Sequence, residues 1–433
     1  MATLYDELEL LRGELAKCMK CGNCMAVCPV YSTVKAEAGV ARGKIALAES
    51  VLSGEIALDD EDVVRHLFNC LVCKSCMRNC PSGVNFDRIM FSLRAAIVRK
   101  KGVPAVKRFI FESLKRQKLF DAGMRIGAAV QGVAFRRHAD RDTCSPRFPL
   151  GLELRRVLPR LSAETFRRST PERTTAVPRK ATAAFFTGCS INYLYPGVGR
   201  DITGVLKENN IETVIPSAQH CCGMAVFAHG DVATARDMAK SNIDAFERTG
   251  AEYLITACGS CGGSWQREYC ELLRDDAGYG EKAEHWSKRT YDISTFLAKI
   301  IDYRRPRGMV EGVVTYHDSC HLKKTMGVYQ EPRAIIQAIP GVEFREMAKS
   351  DACCGGGGSY SITHYSTAME IGKRKSADIA AVGAGIVAAG CPACMMQLLD
   401  LNARFGQGQK IVHFITLLAE SYRREKREPH PRL

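Results

Sequence analysis

The sequence predicts an α+β chain of several domains: a mostly helical N-terminal domain, a basic helical connector, and an α/β unit present twice. Three observations carry this. Residues 18–29 and 70–81 repeat one pattern, Cys-x-x-Cys-x-x-Cys-x-x-x-Cys-Pro, between segments of helical periodicity. Further on, two sets of five cysteines recur at almost equal spacing. Around each set, short apolar runs rich in β-branched and aromatic residues alternate with helical patterns in the same order, as in parallel α/β units.

At 433 residues, length alone suggests about three domains. A hydrophobic content of 46% and a charged content of 25% describe an ordinary globular composition with ample core. The 20 cysteines are the anomaly. A disulfide framework belongs to short secreted chains with a cleavable leader. The opening MATLYDELELLRGELAK is instead amphipathic and charged, with Leu4, Leu8, Leu11 and Leu15 at helical spacing. No window approaches 18 uninterrupted apolar residues, so no membrane-spanning helix is expected. The expectation is a reducing, cytoplasmic compartment with metal-bound thiolates.

The first run comprises Cys18, Cys21, Cys24 and Cys28, and the second Cys70, Cys73, Cys76 and Cys80. This is the bacterial two-cluster ferredoxin run, in which three cysteines hold one cubane and the fourth crosses to the other. Short spacing lets one loop wrap three corners of a cube, and the proline turns the chain away. So read, one [4Fe-4S] cluster takes Cys18, Cys21, Cys24 and Cys80, and the other takes Cys70, Cys73, Cys76 and Cys28. A pair of zinc sites is the competing reading, since C-x-x-C also binds zinc. Zinc leaves two copies of the longer run with its proline unexplained. Helices are predicted over 42–53, 61–69 and 85–101, with Leu71, Val72, Met25 and Val27 covering the clusters.

Residues 94–180 carry 22 Lys/Arg against 7 Asp/Glu, in a chain whose net charge is +14. That surplus of +15 leaves the rest of the chain near neutral, and such a stretch suits an anionic lipid surface, an acidic partner or a solvated connector. Nucleic acid is not expected, because no helix-turn-helix, RNA-binding or zinc-finger pattern accompanies the charge. Helices are predicted over 106–120 and 122–135. The second, AGMRIGAAVQGVAF, is read as a buried packing helix, with a membrane or partner surface as the alternative. Residues 167–180, with Pro171 and Pro178, read as a linker.

The first five-cysteine set is Cys189, the pair Cys221-Cys222 followed by Gly223, and Cys258-x-x-Cys261. The second is Cys320, the pair Cys353-Cys354 followed by Gly355, and Cys391-x-x-Cys394. One packing site rarely wants two adjacent thiols, whereas a metal assembly takes both. The glycines let the backbone turn tightly against it. Predicted strands over 183–188, 212–216 and 253–257, then 313–316, 342–347 and 385–389, place these thiols just past strand ends, where α/β sheets hold ligands. Both halves close alike, YDISTFLAKI at 291–300 against VHFITLLAES at 412–421. The predicted domains are therefore 1–100, 101–180, 181–302 and 303–433.

The cysteine sets, RGKIALAESVLSG, CPSGV at 80–84 and SNIDAFERTGAEYLIT at 241–256 together resemble the iron–sulfur subunit of bacterial glycolate oxidase and the related fused subunits of D-lactate dehydrogenases. The chain is also similar to the catalytic subunit of heterodisulfide reductase, and its two cysteine-rich halves to what that superfamily calls CCG domains. The resemblance spans nearly all of the chain. It implies a helical ferredoxin domain with two cubane [4Fe-4S] clusters, and a duplicated CCG domain. In heterodisulfide reductases each complete five-cysteine set holds a non-cubane [4Fe-4S] cluster, so one or two more clusters are implied. Zinc or bare thiols in the CCG sets is the remaining alternative.

Two functions follow from the resemblance. In the first, an FAD-containing 2-hydroxy acid dehydrogenase subunit oxidises glycolate or D-lactate. This chain then relays electrons to a quinone or another carrier, on the inner face of the cytoplasmic membrane if the basic stretch meets lipid. No G-x-G-x-x-G stands between a strand and a helix, so the flavin is expected on the partner. The glycine run Gly355, Gly356, Gly357 and Gly358 is read as letting backbone amides approach sulfide or substrate. In the second, this chain is itself catalytic and reduces a disulfide at its CCG clusters. Catalytic residues are not assignable from sequence. His317, Asp318 and His321 around Cys320, with His220 and His364, are read as packing residues or donors to sulfur. Trp265 and Tyr360 are read as cluster shields, and Cys144 and Cys270 as ordinary thiols.

Overall fold

The computed structural model describes residues 8–140, 142–149 and 151–427; Leu4 and the end of the charged tail, 428–433, lie outside the described residues. The N-terminal domain is helical, as predicted. Helices Ala41–Leu52, Glu61–Phe68 and Phe86–Lys101 bury Ile45, Ala48, Val63, Leu67, Ile89, Met90, Leu93 and Ile97 in one core. Asp60 caps the second helix, its carboxylate accepting from the Asp62 and Val63 amides. Three basic residues close the third, where the helix dipole favours positive charge.

The connector differs from expectation in three ways. Its helices are Ala105–Lys115 and Gln117–Ala134, so the break falls at Arg116. The second helix is not the buried packing helix expected: only Ala128 and Gln131 are buried, and Ile126, Val130 and Val133 are exposed. Its small residues invite close packing, but on one side only. Finally, the chain forms a three-stranded antiparallel sheet from β1 (Phe135–Arg137), β2 (Thr143–Pro146) and β3 (Leu158–Pro159). The stretch read as a linker also supplies β4 (Arg173–Thr174), an edge strand of the next sheet.

The duplicated half consists of two sheets. The first runs β4-β6-β5-β7-β8, with β5 (Ala181–Phe186), β6 (Ile211–Val214), β7 (Tyr253–Thr256) and β8 (Thr290–Asp292) mutually parallel and β4 antiparallel. The second runs β10-β9-β11-β12, all parallel, from β9 (Gly312–His317), β10 (Val342–Phe344), β11 (Ile386–Ala389) and β12 (Lys410–His413). Ala184 pairs with Leu254 in one sheet as Ala388 pairs with Tyr316 in the other. Every β5 residue is buried, as a central parallel strand covered on both faces must be. One apolar core runs through both halves and joins Phe185, Ile202, Ile255 and Leu206 to Tyr316, Ile335, Phe414 and Leu418.

The helical domain is bolted to the first sheet by charge. Lys74, between two ligand candidates, lies 2.9 Å from Glu268 and 3.1 Å from Asp87, and all three side chains are almost fully buried. Arg267 also reaches Asp87 at 3.0 Å. Removing one member leaves the other charges desolvated and unpaired. Lys74→Met is expected to lower the stability of the full chain by about 3–5 kcal/mol, read as a shift of the denaturation midpoint. A change within the range of surface substitutions would mean the network is not holding the domains together.

Candidate metal centres

The eight thiols of the two runs line two hollows. Cys28, Cys70, Cys73 and Cys76 surround one, and Cys18, Cys21, Cys24 and Cys80 surround the other, with Cys76 at the edge of the second as well. Each hollow is thus lined by three cysteines of one run and the last cysteine of the other. The prolines following Cys28 and Cys80 turn the chain there, and Cys28 Sγ accepts from the Tyr31 amide as it opens the next helix. The Val72 amide likewise points at Cys70 Sγ, 3.4 Å away. Leu71 and Val72 line the first hollow as expected; Val27 instead lines a solvent-open groove beside Cys28.

Burial pushes the Cys28 thiol up to about 11, and Cys76 well above its ordinary range. Four converging sulfurs whose charged form is costly without a cation make a metal cradle, and loading it releases protons. The donors are soft, and both sets keep the order and closing proline of the bacterial two-cluster ferredoxin run, which one tetrahedral zinc ion per site leaves unexplained. The residues therefore fit an iron–sulfur cluster better than zinc.

In the first CCG unit, Cys189 sits on the helix after β5, the Cys221-Cys222 pair follows β6, and Cys258 and Cys261 follow β7. Cys189 and Cys221 sulfurs lie 3.9 Å apart. Hydrogen bonds from Cys221 and Cys261 hold Cys222 well below the usual thiol range. The second unit repeats the placement after β9, β10 and β11. Hydrogen bonding from Cys394 holds Cys354 low, and burial pushes Cys320 up to about 12. Gly355 turns the chain at φ +85°, and its amide donates to Cys353 Sγ at 3.3 Å. Gly356 lies under Cys354 and Gly223 turns the chain into the helix Met224–His229.

Three features of the site are not visible in the cysteine pattern. His317 is fully buried, with a ring nitrogen within 4.8 Å of the Cys354 and Cys394 sulfurs, so it joins the second unit as a possible donor. The two CCG sets are not separate: Cys258 and Cys391 sulfurs are 3.6 Å apart. Gly188 packs so close to Cys261 that a Cβ there would stand 2.9 Å from its sulfur; the Gly-Cys dipeptide at the strand end was the available signal.

The sites also form a line. Cys76 touches both hollows; Cys28 and Cys73 share an apolar cluster with Cys320 and Cys353; Cys391 meets Cys258. Other candidates do structural work. Asp318 pairs with Arg333 at 2.7 Å and Lys323 at 3.3 Å, and His321 bonds the Val72 carbonyl at 3.3 Å. The His220 amide donates to Asn242. Trp265 is buried against Phe246 and Tyr269 in the core that includes Cys222 and Cys261. Tyr360 stacks on His364 and bonds Asn69. Cys144 lies in β2 and Cys270 on the helix Tyr269–Leu273, in none of these groups.

A Cβ at position 355 would stand 2.3 Å from the Ala368 carbonyl oxygen. Gly355→Ala is expected to cost about 1–3 kcal/mol and to lower metal content selectively, with the two N-terminal hollows still loading. Unchanged metal content would mean the glycine is not needed to shape the second unit.

A 4Fe-4S dicluster domain family matches residues 14–84, and a cysteine-rich domain family, CCG, matches residues 183–265 and 314–399. The probable glycolate oxidase iron-sulfur subunit of Bacillus subtilis is 32% identical over 94% of each chain. A fumarate reductase (CoM/CoB) subunit of Methanothermobacter marburgensis is 35% identical over 55% of this chain and 46% of its own. Lactate utilization protein A of Oceanobacillus iheyensis is 29% identical over 54% and 95%. A solved structure of a hypothetical protein from Helicobacter pylori shares the fold at a TM-score of 0.53 and 10% identity, covering 95% of this chain and 72% of that one. With dicluster and duplicated CCG domains in one chain, matched end to end, this protein belongs to the family of iron–sulfur subunits that includes the glycolate oxidase iron-sulfur subunit.

Proposed function

We propose that this chain is the electron-transferring subunit of a flavin-dependent 2-hydroxy acid dehydrogenase, acting on glycolate or D-lactate, with substrate oxidation on an FAD-containing partner. The observation that carries this is the line of thiol groups, from the hollow at Cys21 to the CCG units, with no break between neighbours. Bound iron–sulfur clusters supply sites that take and release one electron at a time. Cys18, Cys21, Cys24 and Cys80 would hold one cubane, and Cys70, Cys73, Cys76 and Cys28 the other. Cys189, Cys221, Cys222, Cys258 and Cys261, then Cys320, Cys353, Cys354, Cys391 and Cys394, would hold the CCG clusters. This chain's own part is to exclude water, aim backbone amides at sulfur and balance charge. Lys44 and Arg94, both buried, direct their hydrogen bonds to carbonyls and would leave their charge for a cluster held by Cys28, Cys70, Cys73 and Cys76.

The same reading puts the chain on an anionic lipid surface. No described helix is long and apolar enough to cross a membrane. The connector helices nevertheless expose Val106 (74%), Phe109 (72%), Ile126 (64%) and Val133 (74%) within the stretch carrying 22 Lys/Arg against 7 Asp/Glu. Apolar side chains amid positive charge suit the headgroup boundary. Full-length protein is expected to float with phosphatidylglycerol vesicles, and Phe109→Glu with Ile126→Glu to abolish flotation. Equal flotation of the double variant would remove the connector from the contact.

Iron and sulfide analysis of anaerobically purified protein is expected to give about sixteen irons, and co-expression with the partner to bring flavin and hydroxy-acid-dependent dye reduction. About eight irons plus zinc would confine the relay to the N-terminal domain; absence of flavin and dye reduction would sink the proposal.

The 3.6 Å approach of Cys258 to Cys391 favours one second reading, disulfide reduction across the facing CCG units. A new sulfur-centred EPR signal when a disulfide is added to reduced protein would support it, and silence across candidate disulfides would exclude it.

A further inference from the structure

The two CCG units share a topology but not the residue at its centre. Strands β5 and β9 each lie between the two strands whose following loops carry the thiols, β6 and β7 in the first unit, β10 and β11 in the second. The side chain that ends each central strand is therefore delivered among those thiols. In the first unit it is Phe186, opposite Thr256, and in the second it is His317, opposite Ala389. Thr256 stands two residues before Cys258 and Ala389 two before Cys391, so the positions are equivalent. Phe186 packs against Phe246 and Trp265, with ring centres 5.7 and 5.6 Å away, in the core that includes Cys222, Cys258 and Cys261. An imidazole in that place brings two polar nitrogens to where the first unit needs none.

His317 is 1% exposed, and neither ring nitrogen has an oxygen or nitrogen partner. A polar ring buried in that state is costly to the fold unless something binds it. What it faces is sulfur. One ring nitrogen, the Cys354 sulfur and the Cys394 sulfur all lie within 4.8 Å of one another, and no other three histidine, cysteine or carboxylate donors among the described residues come so close. Donors on one tetrahedral ion stand about 3.5–3.8 Å apart, given bonds of about 2.0–2.3 Å. The three atoms are thus already gathered to nearly the spread of a single coordination shell. They come from the end of β9, the loop after β10 and the first turn of the helix Pro392–Phe405, so the fold and not local spacing assembles them.

We propose that His317 is a metal ligand of the second CCG unit, sharing one iron with Cys354 and Cys394. This rests on the reading of the five-cysteine sets as iron–sulfur sites and adds a donor that the cysteine pattern does not contain. Five thiolates outnumber the four irons of a [4Fe-4S] cluster, so the donors are not dealt out one to each iron. The three that stand together are placed to share, and a cluster sulfide completes the tetrahedron. A neutral imidazole binds through one nitrogen and keeps its proton on the other. The first unit, with Phe186 in this place, is left with thiolates alone. Histidine in place of thiolate takes negative charge off a cluster and raises its potential, as it does in two-iron centres that carry histidines on one iron. The second unit is thereby the more easily reduced of the pair.

The test uses full-length protein produced with nitrogen-15 histidine and purified anaerobically with its clusters. Pulsed EPR across a redox titration samples each cluster while it is paramagnetic. A strongly coupled nitrogen that responds to the label is expected; backbone amides stay unlabelled and do not contribute. His317→Cys is expected to keep the iron, lose that coupling and shift one cluster to lower potential, and His317→Phe to lose the coupling as well. A ring that only packs, or only donates to sulfur, gives neither the strong coupling nor the shift. Wild-type protein with about sixteen irons and no response to the label would overturn the proposal, as would a coupling that survives in His317→Cys. About eight irons, with none left for the CCG units, would instead sink the cluster reading and the ligand with it.

Discussion

Desolvation of sulfur charge is the constraint on which the rest of this structure depends. Of the eighteen candidate ligand thiols all but the exposed Cys21 are buried or half-buried, where a thiolate is costly and burial drives several toward their neutral form. Only positive charge makes such a site stable. Metal supplies most of it, and the fold supplies the remainder. Lys44 is buried with its ammonium on the carbonyls of Ala38 and Gly39, and Arg94 is buried with its guanidinium on those of Leu67, Cys70 and Ala228. Burial pulls both toward the neutral form, and the sulfur of Cys70 opposes it in each case.

The same constraint explains how the domains are assembled. A cluster site cannot lie on an open surface without water, so the second run of cysteines is roofed by the CCG units. Leu71 and Cys73 pack with Tyr360, Ala368 and Ile371 of the second unit, and Val72 packs into the core of the first. The buried Lys74 network fixes the orientation of this roof. The duplicated units are therefore equivalent in topology but not in position. The second covers a cluster site of the helical domain. The first meets the second where Cys258 stands 3.6 Å from Cys391, while its outer side, at Cys189 and Cys221, opens beside Arg167 and His220.

Local pattern made the helices of the N-terminal domain, the strands of both CCG units and the cysteine groups legible, because each follows from periodicity or from the reach of a short loop. The helix Gln117–Ala134 departs from its buried reading for a physical reason. Alanine, glycine and valine at helical spacing describe a face that packs closely, but sequence does not say whether protein or solvent lies opposite. The linker reading of 167–180 failed because a two-residue edge strand needs no pattern of its own; Arg173 and Thr174 pair simply because β6 has a free edge. His317, the Cys258–Cys391 contact and the Lys74–Glu268 pair join residues far apart in the chain, and local spacing is silent about such partners.

Charge placement also gives the line of sites a direction. The reduced form of a cluster is the more negative one, so burial disfavours it and adjacent cations favour it. Around Cys18, Cys21, Cys24 and Cys80, Cys21 is exposed, and the nearby Arg42 is engaged by Glu37. Around Cys28, Cys70, Cys73 and Cys76, Lys44 and Arg94 bring charge unshared with any acid, and Lys324 stands close to Cys73, Cys320 and Cys353. Of the two N-terminal hollows, the one at Cys70 thus has the positive charge that no acid shares. Charge so placed would favour the reduced form of a cluster held there over that of one held beside the exposed Cys21.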